Sequence, residues 1–187
     1  MPNVAANLPD MARNAEAACA LVREAHRLGA VFVMTPEMTN VIDSRRESLL
    51  EKVTEEAADP VVAALRELAG ELAIHILIGS VALKSGDRLV NRSLLVAPDG
   101  AIAQRYDKIH MFDVDLDGGE SYRESRTYRP GDLAVTADLP WGMLGMTVCY
   151  DMRFPEWARS LTLQGAQLLA FPTNWATAGA AARAGWG

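Results

Sequence analysis

A thiol, a carboxylate and an ammonium each fall where a strand is expected to end: Cys149, Glu37 and Lys108. The cysteine follows the small apolar run Leu144-Gly145-Met146-Thr147-Val148, and Pro155 suits the first turn of a helix that continues through Leu161. This order suggests a nucleophile on a sharp strand-to-helix turn, with the field of the helix N-terminus favouring thiolate over thiol. If the three groups converged, a partly desolvated Glu37 could take the thiol proton. The thiolate could then attack a carbonyl or nitrile carbon, with Lys108 and the N–H of Tyr150 stabilising the charge that develops. A carbon–nitrogen bond would break through a thioester that water hydrolyses. Taken singly, each residue also has an ordinary reading: a buried structural cysteine, a solvated loop glutamate, a solvated lysine. Linear spacing does not bring the three together.

The elements that must position them can be read from periodicity. Leu8, Met11, Ala15, Ala18, Leu21, Val22, Ala25 and Leu28 recur at helical steps over residues 8–28, with Gly29 as the stop. Cys19 falls in this helix and reads as packing. Ala30–Met34 is a short strand ending at Thr35-Pro36-Glu37, and in α/β folds that edge is where ligands bind. Residues 46–58 read as a polar surface helix or loop. Asp59 and Pro60 then open a helix that runs to Leu72. Strands are expected over 74–83, with His75 a core or edge residue, over 89–96 and over 101–106, the last two joined by the turn Pro98-Asp99-Gly100. Residues 113–132 read as a long polar loop, of the kind more often functional than idle. Strands over 133–139 and 143–148, a helix over 158–165 and a strand over 166–172 complete the pattern. No internal repeat or linker interrupts the 187 residues, so a single domain, 1–187, is expected.

Composition narrows the classes. Half the residues are hydrophobic, 22% are charged, and the formal net charge is −6, which argues against nucleic acid as a partner. No apolar run reaches the roughly 20 residues needed to span a bilayer, and the first residues lack a basic and an apolar leader region. Two cysteines, Cys19 and Cys149, do not make a disulfide framework, so a reducing cytoplasm is expected. Asn91-Arg92-Ser93 fits a glycosylation sequon, without meaning in a chain that is not secreted. The Cys and His residues show no metal-ligand spacing.

Three segments carry a resemblance. Val33-Met34-Thr35-Pro36-Glu37, Arg105-Tyr106-Asp107-Lys108-Ile109-His110 and Gly145-Met146-Thr147-Val148-Cys149-Tyr150-Asp151-Met152-Arg153-Phe154-Pro155-Glu156, in this order and spacing, are similar to the nitrilase superfamily of carbon–nitrogen hydrolases. The similarity runs from Val4 to Pro172. It implies a Glu-Lys-Cys triad on Glu37, Lys108 and Cys149. It further implies an accessory glutamate that holds Lys108, placed at Glu124 by the match of Tyr122-Arg123-Glu124-Ser125, with Glu120 as second choice. Substrate contacts are expected from Tyr150 and Arg153, the latter toward a substrate carboxylate.

Residues 108–125 look most like the Nit branch, which contains ω-amidases and deaminated-glutathione amidases. The expected substrate is therefore a small amide, cleaved without metal or cofactor. The implied fold is α/β, a four-layer α-β-β-α sandwich, usually dimeric or larger, so a homodimer is expected. Two departures stand out: the chain begins about where the family's first strand should end, and Thr177–Gly187 does not resemble the family's continuation. The resemblance thus implies a truncated member with an incomplete sandwich and a divergent Ala/Gly-rich tail over 173–187. Three other readings stay open on sequence alone. They are an inactive fragment serving as an interaction module, a nitrile-hydrolysing member, and a Cys-His protease using His110, although none of His26, His75 and His110 lies in a protease signature.

Overall fold

A computed structural model describes residues 10–43, 45–115 and 121–174 of the chain. In order, the elements are α1 (Met11–Arg27), β1 (Phe32–Met34), α2 (Arg46–Lys52), α3 (Pro60–Leu72), β2 (His75–Ser85), β3 (Arg88–Val96), β4 (Ile102–Asp107), β5 (Asp113–Asp115), β6 (Ser121–Arg123), β7 (Thr136–Leu139), β8 (Gly142–Met146), α4 (Pro155–Leu163) and β9 (Leu168–Ala170). Short 3₁₀ turns lie at Glu56–Ala58, Glu124–Arg126 and Cys149–Arg153. Local chemistry sets the helix starts. The Asp10 side chain accepts from the N–H groups of Ala12 and Arg13, and Asp59 does the same for Val61 and Val62 ahead of Pro60.

Strands β1 to β4 form one sheet in sequence order, with β1 parallel to β2 and the other pairs antiparallel. A second sheet has the order β7-β8-β9, β9 running parallel to β8. Val22 of α1 and Val61, Leu65 and Leu68 of α3 pack on one face of the first sheet, against Ile76, Ile78, Leu94 and Val96. The opposite face, through Leu77, Leu95 and Tyr106, packs on Ala137, Leu139, Leu144 and Met146 of the second sheet. Helix α4 lies on the outer side of that sheet, where a Cβ added at Gly145 would stand 3.2 Å from the Leu161 Cβ. Helices, sheet, sheet, helix: these are the α-β-β-α layers of an α/β sandwich.

The first sheet is irregular at one place. The pairing of β2 with β3 shifts between Ile78 and Val81. Ile76 and Ile78 before the bulge, and Val81 and Leu83 after it, therefore share the helix-facing side. Gly79 sits in the bulge. A Cβ there would overlap the Thr35 carbonyl oxygen and lie 2.5 Å from that of Pro36 and 2.7 Å from the Pro172 Cβ. The contacts are mostly backbone, so nothing can swing aside. Gly79→Ala is expected to lower the unfolding free energy by about 3 kcal/mol, the upper end of ordinary overpacking, as read from a shifted urea midpoint.

Several boundaries differ from the sequence reading. The expected loop over 113–132 contains a small hairpin, β5 paired with β6, followed by a 3₁₀ turn. The polar stretch 46–58 resolves into α2 and the turn at Glu56–Ala58. The strand expected over 133–139 is ordered as a ladder only from Thr136, and that over 166–172 is the short β9. The final helix begins at Pro155, as its place at the first turn suggests, and ends at Leu163. The residues before Asp10, and the tail from 175 onward, lie outside the described residues.

Candidate active site

Glu37 ends a loop that leaves β1 and is clipped to the β2 bulge. Thr35 N–H donates to the Leu77 carbonyl, Ser80 N–H to the Pro36 carbonyl, and Thr39 N–H to the Ser80 carbonyl. The hydroxyls of Thr35 and Ser80 accept from the N–H groups of Gly79 and Met38. Asn40 then locks the far side of the loop: its amide donates to Asp59 and to the Ala82 carbonyl and accepts from the Ala82 N–H. The result is a glutamate 7% exposed whose position is set by the neighbouring strand.

Lys108 follows β4 and is 2% exposed. Its Nζ lies 3.0 Å from Glu37 Oε1 and 2.9 Å from Glu124 Oε2. Glu124 comes from the 3₁₀ turn after β6 and accepts from the Phe112 N–H at 2.7 Å. Burial works against the ammonium, but the charges of Glu37 and Glu124 outweigh it and hold the Lys108 pKa above that of an ordinary lysine. Asn91 of β3, fully buried, donates from Nδ2 to Glu37 Oε1 at 3.0 Å and to Glu124 Oε1 at 3.2 Å.

Cys149 opens the 3₁₀ turn beyond β8 with φ +48, a left-handed conformation that costs a non-glycine residue about 1–2 kcal/mol. Its N–H donates to the Pro172 carbonyl at 3.0 Å, and its thiol lies within the electrostatic reach of the Glu37 carboxylate and the Lys108 ammonium. Asp151, inaccessible to solvent, braces the turn. It accepts from the Val148 N–H, from the Tyr106 hydroxyl at 2.7 Å, and from the His110 N–H, and its Oδ1 lies 2.6 Å from the His110 Nδ1. Tyr122, Phe112, Tyr150, Phe154 and His110 make consecutive ring contacts beside the turn, His110 stacked on Phe154 at 3.7 Å.

Glu37 and Lys108, both buried, thus meet the half-buried Glu124 and Cys149 in one cluster. The state of the sulfur differs from the sequence expectation. Cys149 sits in the 3₁₀ turn, before α4 begins, and burial together with the Glu37 carboxylate pushes its pKa up to about 12. At rest it is a thiol, not a thiolate. Tyr150 follows it in the same turn, packed against Phe112 and Phe154, while Arg153 is exposed at the turn's end. Glu120 lies outside the described residues. His110 is engaged with Asp151 rather than with the sulfur. Sequence reasoning does not single out Asn91 or Asp151 as site residues. The signal for both is there, a polar residue inside an otherwise apolar stretch that has to be buried. No group of three or more His, Cys, Asp and Glu side chains among the described residues is arranged to hold a metal ion. No helix among them is long and apolar enough to cross a membrane.

Comparison with known proteins places this geometry. The carbon–nitrogen hydrolase family model matches residues 2–184. Human omega-amidase NIT2 is 36% identical over 161 residues, which cover 85% of this chain and 57% of that protein. Deaminated glutathione amidase of Yersinia enterocolitica is 40% identical over 148 residues, 77% of this chain and 51% of that protein. The chain thus spans a little over half the length of these relatives. Among solved structures, the NitFhit protein of C. elegans superposes with a TM-score of 0.82 at 28% identity, covering 91% of this chain and 42% of that one. Nit3 of Saccharomyces cerevisiae, a member of branch 10 of the nitrilase superfamily, gives a TM-score of 0.78 at 26% identity, covering 92% of this chain and 62% of that one.

Proposed function

The chain belongs to the carbon–nitrogen hydrolase family, and from that premise we propose that it hydrolyses the C–N bond of a small carboxylic-acid amide through a thioester on Cys149. The observation that carries this reading is the convergence of a carboxylate, an ammonium and a thiol, with Lys108 Nζ 3.0 Å from Glu37 Oε1 and the Glu37 carboxylate near enough to the Cys149 thiol to raise its pKa. Moving the proton from sulfur to Glu37 leaves the net charge of the cluster unchanged, so thiolate forms at the moment of attack and not before.

The sulfur bonds to the amide carbon, and the carbonyl π electrons move to oxygen. The Lys108 ammonium and the Tyr150 N–H stabilise that oxyanion. Glu37 returns its proton to the leaving nitrogen, ammonia or an amine departs, and a thioester remains. Glu37 then takes a proton from water, the water oxygen bonds to the thioester carbon, the C–S bond breaks to release the acid, and Glu37 gives that proton to the departing sulfur, restoring thiol and carboxylate. Glu124 holds Lys108 in place. Arg153 is positioned on the turn after the nucleophile to meet a substrate carboxylate. The names of the amidase relatives support an ω-amide of a dicarboxylic acid, or a deaminated-glutathione-like amide, as the substrate class. A reducing, cytoplasmic setting, supported by two free cysteines, and a homodimer belong to the same reading.

Ammonia release from α-ketoglutaramate, succinamate and related amides tests the proposal; a folded protein that releases none from the whole panel would discard the substrate class. Glu37→Gln is expected to keep substrate affinity within a few-fold and to lose about 10³-fold in turnover, the range of a positioned general base. Binding of the substrate measured by calorimetry, set beside the rate, separates the two effects.

A further inference from the structure

Asn91 touches the segments that carry three of the four clustered groups. Its Nδ2 donates to Glu37 Oε1 at 3.0 Å and to Glu124 Oε1 at 3.2 Å, and its backbone carbonyl accepts from the Lys108 N–H at 2.8 Å. The side chain is inaccessible to solvent, and its Oδ1 has no hydrogen-bond partner among the described residues. A buried amide oxygen left without a donor is costly. Turning the amide over would be worse, because that oxygen would then face two carboxylate oxygens. The donor orientation is therefore compelled by charge.

Lys108 alone supplies attraction without direction, since an ammonium is a compact charge with rotatable donors. A planar amide is different: two N–H bonds in one plane fix how each carboxylate is turned. Glu37 Oε1 receives both Lys108 and Asn91, which leaves Oε2 for the sulfur's proton. We propose that Asn91 is a positioning residue that sets the rotation of both carboxylates and keeps Glu37 aimed at Cys149. This rests on the hydrolytic reading of the site. An N–H aimed at a carboxylate favours its charged form, so removing Asn91 is expected to move the acid limb of Cys149 reactivity to higher pH. The other groups facing Glu37 are Lys108, Glu124, Cys149 and the Tyr128 phenol, whose own pKa is raised by burial and by Glu124 and Glu37.

The test reads Cys149 itself, so it does not depend on knowing the substrate. In a Cys19→Ala background, the rate of Cys149 alkylation by iodoacetamide is followed from pH 5 to pH 9. Asn91→Leu is expected to slow labelling at neutral pH by at least about tenfold and to move the acid limb up by about one unit. Asn91→Ser, which keeps one donor, is expected to fall between Asn91→Leu and the parent on both measures. Asn91→Leu within twofold of the parent with the same limb would overturn the proposal, as would a folded Asn91→Ser no better than Asn91→Leu. If Asn91→Leu does not fold, Asn91→Ser decides: an unchanged rate and limb refute, a slower rate with a raised limb supports. Ammonia release by the parent is measured alongside. A parent that releases none while the alkylation profile shifts as described would discard the proposed amide substrates and leave the positioning role standing.

Discussion

Cys149→Ala is expected to reduce amide turnover by about 10⁴-fold or more, the scale of losing a covalent nucleophile, while the protein stays folded. The second half of that expectation comes from the resting state of the site. The sulfur is a neutral thiol, its pKa pushed up to about 12 by burial and by the Glu37 carboxylate. Removing it therefore leaves no charge unpaired, and the ion pairs of Lys108 with Glu37 and Glu124 do not pass through it. Alanine also keeps a Cβ at a backbone position of φ +48 that cysteine already occupies. Cys149→Ser should lie close to Cys149→Ala in rate, because an environment that resists forming a thiolate resists an alkoxide more. Ammonia release gives the rates, a thermal melt gives the fold, and intact mass after a substrate pulse gives the acyl adduct, present only with the native cysteine. A Cys149→Ala protein retaining more than about a hundredth of the native rate would remove the thioester from the mechanism.

Lys108→Met is expected to damage both rate and stability, with a stability loss that depends on pH in a definite sense. Methionine fills much of the same volume, so the chief change is a missing positive charge between two carboxylates. Breaking a buried ion pair from one side costs about 3–5 kcal/mol. In the native protein the lysine's folded pKa lies above its unfolded value, so its contribution is complete below the unfolded value and is lost only as pH rises through the folded one. The whole neutral range is covered. In Lys108→Met, Glu37 and Glu124 face each other with only Asn91 between them, and one of them holds a proton well above the ordinary glutamate range. A carboxyl group with a raised folded pKa stabilises below its unfolded value and loses that contribution as pH rises through the folded one. The deficit against the native protein should thus be small near pH 5 and approach its full size near pH 8. Urea midpoints at the two pH values measure it, and equal deficits would show that the two acids do not depend on the lysine.

The helices are legible in the sequence because each carries its own signals. Asp59 and Pro60 announce α3 without reference to anything distant, and Asp10 caps α1 where the apolar repeat begins. The strands of the first sheet are legible in existence but not in facing, since the bulge at Gly79 reverses which of two neighbouring side chains points at the helices, and no local pattern marks it. Short β9 and the truncated ladder of β7 depend on partners rather than on their own residues, so their ends do not show in the sequence. The clustered residues are found through likeness to a family, not through spacing; Glu37, Lys108 and Cys149 lie too far apart in the chain for sequence arithmetic to join them. The thiol's protonation departs from the sequence expectation for a physical reason. A helix start would act on the sulfur to favour thiolate, whereas the observed surroundings are a buried pocket and an adjacent carboxylate. Asn91 reads from the sequence only as part of a sequon, because its importance lies in two partners brought in by other elements.

The backbone crossing at Gly79 has a mutational corollary. The segment bearing the acid closes on this residue through the carbonyls of Thr35 and Pro36, and the Pro172 ring, whose own carbonyl accepts from the Cys149 N–H, closes on it from the other side. Insertions elsewhere can drift through surface turns without disturbing either, but the strand beneath them has no such latitude. Any substitution at this joint is expected to displace Glu37 and, through Pro172, the backbone of Cys149 together, so that neither side of the cluster can be moved alone.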